Sequence, residues 1–494
     1  MKKLIILIAG ITIITHGMLA QEFGSIEKKI DSLIKAGTFP SIAVGVLKDG
    51  DIIYEKAFGH SNREKDIRST VHTPYQLASL SKPITATAIM KLHEEGKLRI
   101  DDPITKWVEL KKVDSSFPDP TIQQVMNHTS GLGTYFDIYY ADENIPFTDF
   151  ETAWEQYGIQ FQRPGLVCEY SNLGYGLLDY IISEVTGESF AAYLQSSLFS
   201  PLGMNDSHLV GKEERNELAR KYGPENKVLP PIQNNTPGAG NVAASVHDML
   251  LFASLHFQNG FKNFLSAESI LQMQDYQEPN ALFHYYQDTY YGLGWYGMVD
   301  DGGQKVIWHE GGMMGASTML KLYPKENLAI VLLTNTYNSN AIRTIADEMT
   351  TLLIPDYQPT PINEVAEYAG VESDSTFIGT WSGTMQIEDQ EIPISLDIKA
   401  EGIDIFYIDN GFNSFLTDYQ PLPYRTKLLF GAVNQNYFIG TGTGELPTSD
   451  KRRHQHLLSF KLFKDQDLLK GTIVNIAAAE REYYARPYFI ELSR

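Results

Sequence analysis

The sequence predicts a mixed α/β protein of the α+β kind. One antiparallel sheet flanked by helices comes with a helical subdomain, and a small C-terminal β-sandwich or barrel follows. Three observations predict it. A helix-periodic stretch and a hairpin pattern open the chain, and several strand patterns plus one more helix pattern close its first 354 residues. Helical and loop-like sequence fills the middle. Past a proline-rich joint the period changes to two and stays there.

The opening helix is "SIEKKIDSLIKAG", where Ile26, Ile30, Leu33 and Ile34 share one face and Gly37 ends the run. "SIAVGVLKDGDIIYEKAFG" reads as two strands turning at Asp49 and Gly50. The next helix runs from about Ser79 to Leu92 and is closed by Gly96. A helical and loop region extends to about residue 285. "YYGLGWYGMV" and "KVIWHEGG" then flank the turn "DDGG", and "STMLKLYPKENLAIVLLTN" adds a further hairpin. "SNAIRTIADEMTTLL" is the closing helix. Sequence order therefore assembles a single sheet from both ends of this region.

Pro355, Pro359 and Pro361 mark a stiff linker over 355–364. Beyond it, Ile392, Ile394, Leu396 and Ile398 alternate strictly, as a half-buried strand requires, and "HLLSFKLF" and "LKGTIVNI" continue the pattern. Residues 365–494 are thus expected to form a separate β domain, whose removal leaves turnover of small substrates if it only binds or docks.

The first 20 residues, "MKKLIILIAGITIITHGMLA", resemble a secretory leader: Lys2 and Lys3, then an apolar run from Leu4 to Ile14. That run is shorter than the roughly 20 residues a bilayer span needs, so the chain is expected to be exported to the periplasm or outside the cell, with no integral membrane segment. The formal net charge is −21, and no basic block is present, which argues against nucleic acid as a partner. Cys168 is the only cysteine, so no intrachain disulfide forms, and the plainer reading of Cys168 is a small buried hydrophobe.

Chemistry concentrates in three places. In "LASLSKPITA", Ser79 and Lys82 lie three apart, so a helix presents hydroxyl and amine on one face. Pro83 is tolerated in a first helical turn, where its missing N–H has no partner to lose. A serine hydroxyl needs a base to become a nucleophile, and a desolvated lysine is one such base. Alone, the pair reads more simply as an N-cap serine followed by a solvated lysine. The second place is "CEYSNLGYG". Tyr170 offers a phenol for proton transfer, and Asn172 an amide for a substrate carbonyl. The third is "WHEGGMMGAS", a strand whose backbone N–H groups can face an oxyanion.

Other constellations are weaker. "HQH" at His454 to His456 has no third metal ligand nearby. "GHSNR" around Ser61 lacks the second glycine of a nucleophile elbow. No phosphate-binding glycine loop is present, so neither metal nor cofactor is expected. The aromatic run "TYFDIYYADENIPF" is placed at the substrate mouth, in buried packing or in a mobile lid.

The order S-x-x-K, Y-x-N, H-x-G resembles the serine β-lactamase and penicillin-binding protein superfamily, above all its class C branch with D-aminopeptidase and esterase relatives. "GKLRIDDPI", "MNHTSGL", "PLGMNDS", "PGAGNVAASVHDMLLF" and "YGLGW" fit the same resemblance, which covers about residues 25–350. The resemblance implies a β-lactamase-like sheet with an all-helical subdomain, and an exported serine hydrolase of amides or esters. Its partners would be small molecules, peptides or cell-wall fragments. It also implies roles: Ser79 is acylated, Lys82 and Tyr170 share the proton work, and Asn172 orients the substrate. The backbone N–H groups of Ser79 and Gly312 would form the oxyanion hole, with Gly311 permitting close approach. Where β-lactamases of this kind carry Lys and Thr, this chain has His309 and Glu310. His309 is expected to be a weaker, pH-dependent anchor for a substrate carboxylate. That departure favours an esterase or amidase over a β-lactamase or D,D-peptidase. A non-catalytic penicillin-recognising or carbohydrate-binding protein is the reading from outside the enzyme class.

Overall fold

A computed structural model describes residues 23–494 except 143–144, 212–215, 258–263, 276–288, 301, 355–356, 360–375, 388–389, 400–401, 408–423, 427–428, 435–436, 445, 447–455 and 480–481. The leader-like residues 1–20, most of the proline-rich linker and His454 lie outside the described residues.

Both ends of the first 354 residues do build one sheet. Its eight antiparallel strands run in the order Tyr290–Tyr291, Tyr296–Val299, Lys305–Met313, Ala316–Tyr323, Leu328–Thr334, Ser41–Lys48, Asp51–Asn62, Ile67–Arg68. The turn between Ser41–Lys48 and Asp51–Asn62 has positive φ at Asp49 and Gly50, the geometry that Asp-Gly favours in a two-residue hairpin.

The two central strands are buried on both faces, and alternation sorts their side chains. Ile42, Val44 and Val46 pack with Ile26 and Ile30 of helix Gly24–Lys35 and with Ile342 and Ile345 of helix Ser339–Leu353. Ala43, Leu47, Val331 and Leu333 turn to the other side. There helices Ser81–Glu94 and Val246–Ala253 contribute Ile84, Ile89, Met249 and Leu250. The middle of the chain is mainly helical and also carries short strands. Among these, Phe136–Tyr140 pairs antiparallel with Ile232–Asn234.

The C-terminal strands run from Gly379–Ile387 to Glu482–Ser493 as an antiparallel up-and-down sheet, in which the first strand pairs with the last. Each strand also pairs with its sequence neighbour, except that Tyr424–Thr426 and Leu429–Asn434 do not pair with each other and stand at the two ends of the strand order. This is the connectivity of a barrel rather than of two stacked sheets. Ile392, Ile394, Leu396 and Ile398 all point into its core, with Trp381, Phe460 and Ile490.

The barrel is not detached. Its last strand runs past Gly379–Ile387 and pairs instead with Phe136–Tyr140 of the N-terminal part, matching Tyr484 with Asp137 and Ala485 with Phe136. Two buried ion pairs cross the same junction, Arg486–Asp137 at 3.0 Å and Lys461–Glu169 at 3.4 Å.

Candidate active site

Ser79 sits in the short 3-10 turn Ala78–Leu80 that leads into helix Ser81–Glu94. Ala78, just before it, has φ of 50°, a left-handed conformation that costs an L-residue energy and is common at functional sites. The neighbouring Ser81 is fully buried, and its Oγ accepts a hydrogen bond from the Val242 N–H at 3.1 Å, so it belongs to the packing.

Lys82 is fully buried one helical turn from Ser79. Its Nζ lies 3.2 Å from Ser79 Oγ, 2.6 Å from Asn172 Oδ1 and 3.1 Å from the Ala239 carbonyl oxygen. Burial pushes the Lys82 pKa well below that of a free lysine. A neutral amine fits these contacts. Its two N–H groups donate to Asn172 and Ala239, and its lone pair faces the Ser79 hydroxyl. The Tyr170 and Tyr175 rings lie 4.6 Å and 5.6 Å from Nζ, where their faces favour a proton arriving on the amine.

Asn172 opens helix Asn172–Thr186, and Ser171 caps it: Ser171 Oγ accepts from the Gly174 N–H at 3.0 Å. The Tyr-Ser-Asn run is thus a loop-to-helix corner. His128, which the sequence analysis gave no role, clamps that corner from both sides of Tyr170. Its carbonyl oxygen accepts from the Glu169 N–H at 2.7 Å, and its Nδ1 accepts from the Ser171 N–H at 3.1 Å. Since a backbone N–H can only donate, the His128 proton is on Nε2. The His128 ring packs 4.5 Å from the Tyr170 ring, and burial holds its pKa well below the usual value. Its only sequence signal is its place in "MNHTSGL".

The third stretch lies on strand Lys305–Met313. Gly312 lines a small opening at Ser79 together with Asn172, Asn234, Phe136 and Ile138. Gly311 is where the strand meets the segment before the nucleophile. A Cβ there would collide with the Leu77 carbonyl oxygen and Thr318 Oγ1. Thr318 Oγ1 itself donates to that carbonyl at 2.6 Å.

His309 departs from expectation. It is 1% exposed, its Nδ1 is 2.7 Å from the Glu310 carbonyl oxygen, and its Nε2 is 2.9 Å from Tyr291 Oη. The carbonyl can only accept, so Nδ1 carries the proton and Nε2 accepts from Tyr291. Burial, reinforced by nearby Lys82, lowers the His309 pKa to about 3. The expectation of a histidine titrating near neutrality and anchoring a carboxylate is therefore corrected. Both its nitrogens are occupied and it stays uncharged. Glu310 points elsewhere and pairs with the Arg343 guanidinium at 2.8–3.1 Å.

The structure thus brings Ser79, Lys82, Tyr170, Asn172 and Gly312 together, with Gly311 and His309 supporting from behind. Cys168 is not among them: burial pushes its thiol up to about 12, which leaves it inert. Ser61 Oγ donates to the Ile67 carbonyl within its own hairpin. Among the described residues no group of three or more His, Cys, Asp or Glu is placed to hold a metal ion, and no helix is long and apolar enough to cross a membrane.

The β-lactamase family model matches residues 26–351. The chain is 27% identical over 345 residues to Protein flp of Staphylococcus aureus, covering 67% of this chain and just under two thirds, 66%, of that protein. A structure of the octameric penicillin-binding protein homologue from Pyrococcus abyssi aligns over 94% of this chain and 99% of its own, at a TM-score of 0.58 and 21% identity. A class C β-lactamase aligns over 68% of this chain and 98% of its own, at a TM-score of 0.55 and 21% identity. At that identity the structures speak for the fold alone, and the first extends the likeness over the C-terminal strands. With the family model spanning the Ser79, Tyr170 and His309 stretches in their expected order, the chain belongs to the β-lactamase family.

Proposed function

We propose that this protein is an exported serine hydrolase that cleaves an ester or amide through an acyl-Ser79 intermediate. The observation that carries the reading is the buried Lys82 amine, 3.2 Å from Ser79 Oγ and held by Asn172 and Ala239. Lys82 takes the Ser79 proton as Oγ attacks the substrate carbonyl. The oxyanion faces the N–H groups of Ser79 and Gly312. Lys82 and Tyr170 pass the proton on to the leaving group, whose bond to carbon then breaks. Water attacks the acyl-enzyme with Tyr170 as base and restores Ser79. Asn172 orients the substrate and fixes the amine.

The uncharged His309 supports esters or amides without a carboxylate beside the scissile bond, over penicillins. Small-molecule esters, short peptides and cell-wall fragments lacking that carboxylate fall within this class. Export rests on the leader-like first 20 residues, and N-terminal sequencing of the mature protein checks it, with Gln21 as the expected first residue.

The test incubates the mature protein with a fluorophosphonate, a fluorescent penicillin and a p-nitrophenyl ester. Fluorophosphonate labelling and ester turnover are expected, and both vanish in Ser79→Ala. Stable penicillin labelling without turnover would instead support a D,D-peptidase or sensor, and rapid ring opening a β-lactamase. No Ser79-dependent acylation by any reagent would support a non-catalytic binding protein.

A further inference from the structure

Next to the Ser79 opening lies a larger cavity of about 350 Å³, lined by Tyr139, Tyr140, Phe147, Gly211, Pro231 and Ile232 among others. We propose that this cavity is a substrate subsite for an uncharged alkyl or aryl group, reached along the strand ribbon that walls Ser79. The proposal rests on the acyl-Ser79 reading and adds the substrate class to it.

The ribbon supplies the geometry. Phe136–Tyr140 and Ile232–Asn234 pair with Ile138 opposite Asn234 and Tyr140 opposite Ile232. Alternation puts Phe136, Ile138 and Tyr140 on one face. On that face Phe136, Ile138 and Asn234 line the opening at Ser79. Two residues further along, Tyr140 and Ile232 line the cavity. Two residues of strand are about 7 Å, a distance that a short alkyl chain on a reacting ester spans. Ala78, Ile138, Tyr140 and Ile232 belong to one buried apolar cluster, which ties the wall of the Ser79 opening to that of the cavity.

Lining chemistry selects the ligand. No described residue lining the cavity carries a charge. Its volume falls in the range of small-molecule sites, roughly 300–1,000 Å³, and aromatic and aliphatic side chains dominate such sites. The sequence source is the aromatic run after Gly133, which places Tyr139, Tyr140 and Phe147 around one space.

Gly211 makes the test clean. It lines the cavity, and a Cβ added there has no atom within 4 Å, so Gly211→Leu adds an apolar side chain at the cavity's edge without a clash. Two ester series are measured: p-nitrophenyl esters from acetate to octanoate, and acetates of alcohols from methanol to octanol. With the wild-type protein, kcat/KM rises by up to about fourfold per added methylene in one series until the cavity is full. A rise in the first series places the acyl group in the cavity, and a rise in the second places the alcohol there. In Gly211→Leu the ratio of longest to shortest substrate falls by about tenfold or more in that series. Tyr140→Ala, which removes an aromatic wall, lowers the same ratio. Flat wild-type series with Ser79-dependent turnover would overturn the subsite and leave the hydrolase reading standing. If turnover does not depend on Ser79, the hydrolase reading fails instead. The cavity is then tested by calorimetry with octanamide on the Ser79→Ala protein. Binding that Gly211→Leu abolishes supports the cavity, and no binding overturns it.

Discussion

Lys82 and His309 show how burial alone sets the state of a residue. Both are bases, both are removed from water, and burial favours the neutral form of each. For Lys82 neutrality creates a function, because only the free amine can take the Ser79 proton. For His309 it removes one, because the charge that a carboxylate needs is absent. The sign of the pH dependence follows. Activity falls as pH drops through the depressed Lys82 pKa, and His309 adds no inflection near neutrality. Stability depends on His309, on fully buried His256, whose pKa burial also lowers to about 3, and on buried His128, whose pKa is held well below the usual value. The unfolded chain binds a proton at each near pH 6.5, and the folded chain refuses it. Stability from these groups is therefore complete above about pH 6.5 and is lost toward pH 3, by about 2 kcal/mol per histidine at pH 5. Thermal melts between pH 7.5 and 5 should show a falling Tm, and His256→Gln should remove only its own share of the fall, leaving those of His309 and His128. A Tm independent of pH over that range would contradict these assignments.

Elements carry the next level of constraint. The Ser79 turn is squeezed between helix Ser81–Glu94 and strand Lys305–Met313, and Gly311 is the contact point. In Gly311→Ala the new methyl would meet the Leu77 carbonyl, which is backbone and cannot swing away. Overpacking of this kind costs about 1–3 kcal/mol. Here it also displaces the strand from the nucleophile, so turnover should fall more than stability. Gly312→Ala is the control for folding, since its methyl would meet side chains and no backbone, the Tyr337 ring at 3.1 Å and Ser339 Oγ at 3.9 Å. Equal Tm and equal kcat for wild type and Gly311→Ala would refute the close-approach argument. Much of this level was legible in the sequence. S-x-x-K spacing gives one helical face, and Asp-Gly gives the hairpin. His128 was not legible, because its clamp on Glu169 and Ser171 spans about forty residues and depends on a left-handed backbone at His128.

At the scale of the molecule, the barrel and the N-terminal part share a wall. Strand Glu482–Ser493 pairs with the strand that lines the Ser79 opening, and Lys461 reaches Glu169, the residue before Tyr170. Alternation in residues 390–399 showed that a β unit follows the joint, and suggested that it could be removed without harm. The pairing predicts the opposite: truncation before residue 376 should abolish ester turnover even where the remaining chain stays folded by circular dichroism. A finer probe is Lys461→Met, which leaves the Glu169 carboxylate buried without its partner and should cost about 3–5 kcal/mol in urea unfolding. Adding Glu169→Gln should recover much of that loss, because the stranded charge is gone. A truncated protein with full activity would restore the view of a detachable module.

By itself the sequence determined what depends on near neighbours and on order along the chain. That includes one antiparallel sheet built from both ends, the helix start that brings Ser79 and Lys82 to one side, and the succession of three motifs that marks the family. Only the tertiary structure decided which polar groups are cut off from water and which distant strands meet. His309 is neutral because Tyr291, the Glu310 carbonyl and its surroundings enclose it. The barrel belongs to the cleft because its last strand outruns its own partner and pairs with Phe136–Tyr140. Desolvation and long-range strand pairing are set by three-dimensional packing, and no local spacing encodes them.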